Sequence, residues 1–195
     1  LSIEVGKGGV TEITVSLEES KTQLGDKDAD GNYPLYWSEG DAIAVNGVAS
    51  TPLTAEADGQ VAASFAFPSV LTHPFNVVYP ASAVKTLDTK AVITFPAEQN
   101  YVNGTLAQES QIYLGRSVEG VAQLNLLTSI IGVTVTANYD CEVASIKISS
   151  KSKALAGVAE VDMSYESEPT LLFTDIKSSV KLVLDTPVVI GNGAS

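Results

Sequence analysis

The dominant hydrophobic period along the chain is two. Across 11–17 the apolar residues Ile13, Val15 and Leu17 alternate with Glu12, Thr14 and Ser16. That is the pattern of a strand with one buried and one wet face. The alternation recurs at Phe65 and Phe67, at Phe75, Val77 and Tyr79, and at Ile131, Val133 and Val135. It returns at Ile146 and Ile148, and at Val180, Leu182 and Leu184. Val, Ile, Thr, Phe and Tyr fill these segments, and they suit a pleated, half-buried surface. Turn signals stand between them: Gly8-Gly9, Asp30-Gly31-Asn32, Asn46-Gly47, Asp58-Gly59, Asn103-Gly104 and Gly191-Asn192-Gly193. Strand-length runs joined by short turns predict an all-β chain of antiparallel β-sandwiches rather than βαβ units. The best helical candidate is a turn or two within 105–111.

The pattern divides the chain into two expected domains. Residues 1–118 form an N-terminal β-sandwich, and 119–195 begin a second one, the break falling after Gly115 and before the apolar run 124–135. A sandwich of immunoglobulin-like size takes about 100 residues and seven strands. The second block holds about five strands, so it is expected to be unfinished or to borrow strands from elsewhere.

Composition narrows the function classes. The 195 residues carry 23 acidic against 11 basic groups, a formal net charge of −12, and 45% of them are hydrophobic. That is enough apolar material for a substantial core, which excludes intrinsic disorder for most of the chain. The negative balance argues against nucleic acid and against an anionic membrane surface, since both need clustered Lys and Arg. No apolar run approaches the roughly 20 residues that span a bilayer as a helix. A single cysteine, Cys141, excludes an internal disulfide framework and a thiolate metal cage. With one His, one Trp, one Met and one Arg in the chain, no nucleophile–base set, phosphate loop or zinc motif emerges, and no enzyme activity or cofactor is expected. The chain begins at Leu1 without Met or signal peptide, which reads as a mature or trimmed product.

Individual candidates remain. Asp26, Asp28 and Asp30, followed by Gly31, match the first half of a calcium loop, but Trp37 stands where a bidentate Glu would close it. A solvated acidic loop is the plainer reading of the three carboxylates. Tyr33, Tyr36 and Trp37 form an aromatic group that could stack on a sugar ring or fill a core at a sheet edge. His73, before Pro74, lacks an orienting carboxylate nearby in sequence and reads as a turn residue. Cys141, between acids, reads as an inert thiol. Arg116 lies in the segment between the blocks, a candidate trypsin-type cleavage point if exposed.

A series of motifs carries a resemblance. Lys21-Thr22-Gln23-Leu24 and an acidic loop precede Trp37-Ser38-Glu39-Gly40-Asp41-Ala42-Ile43-Ala44-Val45. Tyr79-Pro80-Ala81, Phe95-Pro96-Ala97-Glu98-Gln99, the run 124–135 with Gly132, and Ala154-Leu155-Ala156-Gly157 leading into 158–163 follow in order. Over about 11–190 this resembles the fimbrillin-like pilins and surface lipoproteins of Bacteroides-type bacteria, whose signature is W-x-x-G-D-x-I-x-V. The resemblance implies two transthyretin-like, Greek-key β-sandwich domains, export as an outer-membrane lipoprotein through a lipid anchor absent from this chain, and assembly into fimbriae at the cell surface. The implied partners are other fimbrial subunits, in a homo- or hetero-polymer built by strand exchange, with a host protein or glycan as an adhesion target. It also implies N-terminal cleavage by an Arg-specific protease. No Arg precedes Arg116 here, so that site is absent, already removed, or replaced by Lys7 or Lys21. Family members continue with further strands past the region matching 186–195. A surface module binding carbohydrate or host protein through Tyr33, Tyr36 and Trp37 is the alternative expectation.

Overall fold

The computed structural model describes residues 2–4, 10–16, 36–103, 106–117, 122–166 and 168–191. The strands in chain order are β1 (Ser2–Glu4), β2 (Val10–Ser16), β3 (Ala44–Val45), β4 (Val48–Ala49), β5 (Ala62–Leu71) and β6 (Phe75–Tyr79). They continue as β7 (Val84–Leu87), β8 (Lys90–Phe95), β9 (Glu98–Asn100), β10 (Tyr113–Ser117) and β11 (Ala122–Leu126). The last four are β12 (Cys141–Ser149), β13 (Ala156–Asp162), β14 (Leu172–Lys177) and β15 (Ser179–Ile190). The helical content among the described residues is three single turns of 3-10 helix, one of them Gln108–Ser110, inside the segment expected to be helical. The chain is all-β with antiparallel sheets, as the period of two predicts. Among the described residues no helix is long and apolar enough to cross a membrane.

Eight strands form one sheet in the order β4-β3-β6-β10-β11-β1-β2-β5. The sheet curls until its two edges meet, where the Thr51 amide just past β4 donates to the Ala66 carbonyl of β5 at 2.8 Å. Inside the curl lies the first core, built from the alternating residues read from the sequence: Ile13 and Val15, Phe65 and Phe67, Phe75, Val77 and Tyr79. Trp37, Ile43, Tyr113 and Leu124 complete it. Alternation puts Val78 of β6 and Leu114 of β10 on the outer face, yet both are fully buried. There they meet the second sheet, β14-β13-β8-β7, through Ile93, Phe95, Ala159, Val161 and Met163. Strands β6 and β10 are thus buried on both faces.

The sheets do not follow the division expected at 118. Strand β10 is central, paired with β6 on one side and with β11, beyond residue 118, on the other. Strand β8 of the first block pairs with β13 of the second from Phe95↔Gly157 to Lys90↔Asp162. Arg116 consequently lies inside a doubly paired strand, half-buried, and not in an exposed linker. Its expected role as a cleavage point is corrected: a protease needs an extended, unpaired segment, and here both backbone edges are occupied.

Two glycines hold close approaches. Asn46 and Gly47 both have positive φ (51° and 80°) in the two-residue hairpin between β3 and β4, the geometry an Asn-Gly pair is suited to. Gly157 has φ +123°, and a Cβ there would lie 1.9 Å from the Asp175 carbonyl oxygen.

The third sheet, β12-β15-β9, is built differently. Only Ser178 separates β14 from β15. Strand β13 pairs with the β14 part of this lane, whereas β12 pairs with the β15 part, from Ser149↔Ser179 to Cys141↔Ile190. The loop 150–155 carries the chain from one side of the lane to the other. The Ser150 amide donates to the Ser178 carbonyl at 2.8 Å and the Leu155 amide to the Lys177 carbonyl at 2.9 Å. Consecutive carbonyls of an extended chain point to opposite sides, so these two bonds mark the crossing.

Candidate functional site

Two regions concentrate the features singled out from the sequence: the Trp37–Val45 motif and the C-terminal sheet.

The motif is a brace built around two buried side chains. The Trp37 amide donates to the Gln60 carbonyl at 2.8 Å, and the Gly59 amide returns a bond to the Trp37 carbonyl at 3.0 Å. This docks the segment on the turn before β5. The Trp37 indole, 0% exposed, meets Phe65 and Tyr79 edge-on, with centroids 5.0 and 5.5 Å away, and donates its N–H to the Val15 carbonyl at 3.2 Å. An aromatic of this size, with its one polar atom satisfied, is a core anchor. Gly40 takes φ +88°, turning the chain so that Asp41 points inward.

Asp41 is 3% exposed, and its carboxylate accepts three hydrogen bonds. The Ser38 amide and the Tyr79 hydroxyl each donate from 2.9 Å, and Gln108 Nε2 donates to the same oxygen as Tyr79. These donors belong to the turn itself, to β6 and to the 3-10 turn before β10, so one carboxylate ties three chain segments together. Burial raises the Asp41 pKa above its ordinary value, against the opposing pull of its three donors, and Asp58 adds to the rise. Burial likewise raises the Tyr79 pKa well above the ordinary range, which keeps the phenol a donor. The arrangement holds segments together, and its carboxylate is closed off from a solvent-borne substrate.

The sequence candidates separate accordingly. Trp37 offers no free face, so of its two readings the core one holds and the sugar-stacking one is corrected. Tyr36 is half-buried beside it. Tyr33, Asp26, Asp28, Asp30, Lys7 and Lys21 lie outside the described residues. Among the described residues no group of three or more His, Cys, Asp or Glu could hold a metal ion. His73 stacks its ring on Phe75 with centroids 4.0 Å apart. Cys141, a free thiol, is half-buried at the far end of β12. The buried carboxylate of Asp41 was visible only as a motif letter. Its side-chain partners, Tyr79 and Gln108, lie 38 and 67 residues away, beyond any local signal.

The C-terminal region is open where the N-terminal one is closed. After the Leu127 amide bonds the Ile112 carbonyl at 2.8 Å, residues 128–140 run without strand pairing. The alternating apolar residues expected to form a strand here stand in solvent, with Ile131 64% and Val133 48% exposed. Leu172 and Ile176 of β14 and Val188 and Val189 of β15 are exposed as well. Strands β12 and β14 each form one end of their sheet, so among the described residues each keeps an unpaired backbone edge. On one face of this region Ile146, Ile148, Val180 and Leu182 are only half-buried.

Comparison with known proteins returns nothing: no family model, no curated protein and no solved structure matches the chain.

Proposed function

We propose that the chain is a non-enzymatic fimbrial subunit or related cell-surface adhesin of the outer membrane, assembled with other subunits by β-strand addition. The observation that carries this reading is the contrast between the two halves. The N-terminal sheet closes on itself around a filled core. Among the described residues the C-terminal region leaves 128–139 without strand pairing, two strand edges open, and apolar side chains such as Ile131 and Val189 in water. A long exposed edge beside exposed apolar residues is an aggregation liability that proteins ordinarily blunt with charge, proline or a cover. A strand from a second subunit would pair one edge through main-chain hydrogen bonds and bury alternate apolar residues, which is the mode of β-augmentation.

The W-x-x-G-D-x-I-x-V motif fits this reading as a fold determinant. Trp37, Ile43 and Val45 are core residues, Gly40 makes the turn, and Asp41 ties it to β6. A motif that builds a scaffold says nothing of chemistry, which agrees with a structural subunit. The test is immunogold labelling of the cells that produce the protein. Label along surface filaments supports the reading, whereas label confined to the cell interior overturns it.

A further inference from the structure

We propose that the face formed by β12 and β15, together with the crossover loop 150–155, binds an acidic polysaccharide, one bearing carboxylate or sulfate groups. The inference does not depend on fimbrial assembly.

The chain carries eleven Lys and Arg residues, and all five that follow Arg116 gather here: Lys147, Lys151, Lys153, Lys177 and Lys181. Lys147 and Lys181 are direct partners across the β12–β15 ladder, so their side chains leave the same face of the sheet. Directly opposite side chains in an antiparallel pair start about 5 Å apart, and like charges so placed destabilise the pair. A bound anion relieves that repulsion. Asp175 lies 3.2 Å from Lys177 and Glu98 lies 3.7 Å from Lys181. Among the described residues Lys147, Lys151 and Lys153 have no acidic partner, and all three are exposed. The loop lysines are held close to the ladder, because Ser150 and Leu155 bond the carbonyls of Ser178 and Lys177.

The rest of the face decides the kind of anion. Alternation and register place Ser145, Ser149 and Ser179 beside the two lysines, with Val183 opposite Ser145. A protein interface would be expected to centre on aromatic or large apolar residues with depleted lysine, and this face has the reverse composition. Its ammonium and hydroxyl groups lie in two rows, with a repeat of roughly 7 Å along each strand and about 5 Å between strands. A flat, extended array of point charges and hydroxyls suits a linear polyanion with hydroxyls of its own. Nucleic acid is the poorer fit, since the acidic remainder of the chain repels a long, densely charged duplex.

The experiment titrates the full chain with polygalacturonate and with heparin, by calorimetry at about 50 and about 200 mM NaCl. Binding of either polymer is expected at the lower salt, weakened roughly tenfold or more at the higher one, as release of counterions requires. The triple variant K147Q/K151Q/K153Q is expected to lose at least about tenfold in affinity at the lower salt. K85Q, changed at an exposed lysine on β7, keeps the original value. Circular dichroism confirms that both variants fold. Absence of binding, equal loss in K85Q, or an unchanged triple variant would each overturn the proposal. So would a duplex DNA that binds more tightly than both polysaccharides.

Discussion

Tyr79 donates its phenolic hydrogen to Oδ1 of Asp41 across 2.9 Å, linking a strand buried on both faces to the turn that follows Trp37. Replacing Tyr79 with Phe keeps the ring against Trp37 and removes only the hydroxyl, which also meets Gln108. Equilibrium urea unfolding of Tyr79→Phe should show a loss of about 1–3 kcal/mol. An unchanged midpoint would mean that the bond contributes nothing to the fold.

The same carboxylate sets a pH dependence. Burial raises the folded-state pKa of Asp41 above its ordinary 3.8. The stability it contributes is therefore fully present below 3.8 and is lost as pH rises through the folded value. Asp41→Asn removes this titration. The stability difference between the parent and Asp41→Asn, followed by chemical denaturation from about pH 3 to 7, should move against the parent as pH rises. Movement in the opposite direction would mean that the three hydrogen bonds outweigh burial.

Gly157 tests the packing of β13 on β14. Ala at this position would strain a φ of +123° and push its Cβ into the Asp175 carbonyl. Gly157→Ala is expected to cost upwards of about 2 kcal/mol, read as a lowered thermal midpoint. Gly132 has open space around its Cβ position and no positive φ, so Gly132→Ala serves as the neutral comparison.

Limited trypsin digestion separates the exposed crossover loop from the paired strand β10. Lys151 and Lys153 are exposed in the crossover loop, whereas Arg116 lies in a strand paired on both sides. Mass spectrometry of early fragments should find cleavage after Lys151 or Lys153 and none after Arg116. Early cutting at Arg116 would contradict the central placement of β10.

Much of the N-terminal architecture is legible in the residues because its signals are local. Ile13 and Val15 alternate with polar neighbours, and Asn46-Gly47 makes its own hairpin. The division at 118 has no such local warrant. Strand β13 finds β8 more than sixty residues earlier, and nothing in 156–162 names that partner. Period two also overreaches at Ile131 and Val133, because alternation makes a segment suitable for a sheet but cannot supply the neighbouring strand. The Trp37 group illustrates a further limit. An aromatic beside an acidic loop looks the same in sequence whether its ring faces water or, as here, Phe65 and Tyr79.

The central claim is that the open C-terminal region is completed by a strand from another subunit. Amide hydrogen exchange across 128–149 and 172–177 tests it most directly, comparing the purified monomer with filaments harvested from producing cells. The account predicts rapid exchange at 128–140 and at the outer edges of β12 and β14 in the monomer, with strong protection of at least one of these in the filament. Equal exchange in both states, or filaments that lack the protein, would contradict it.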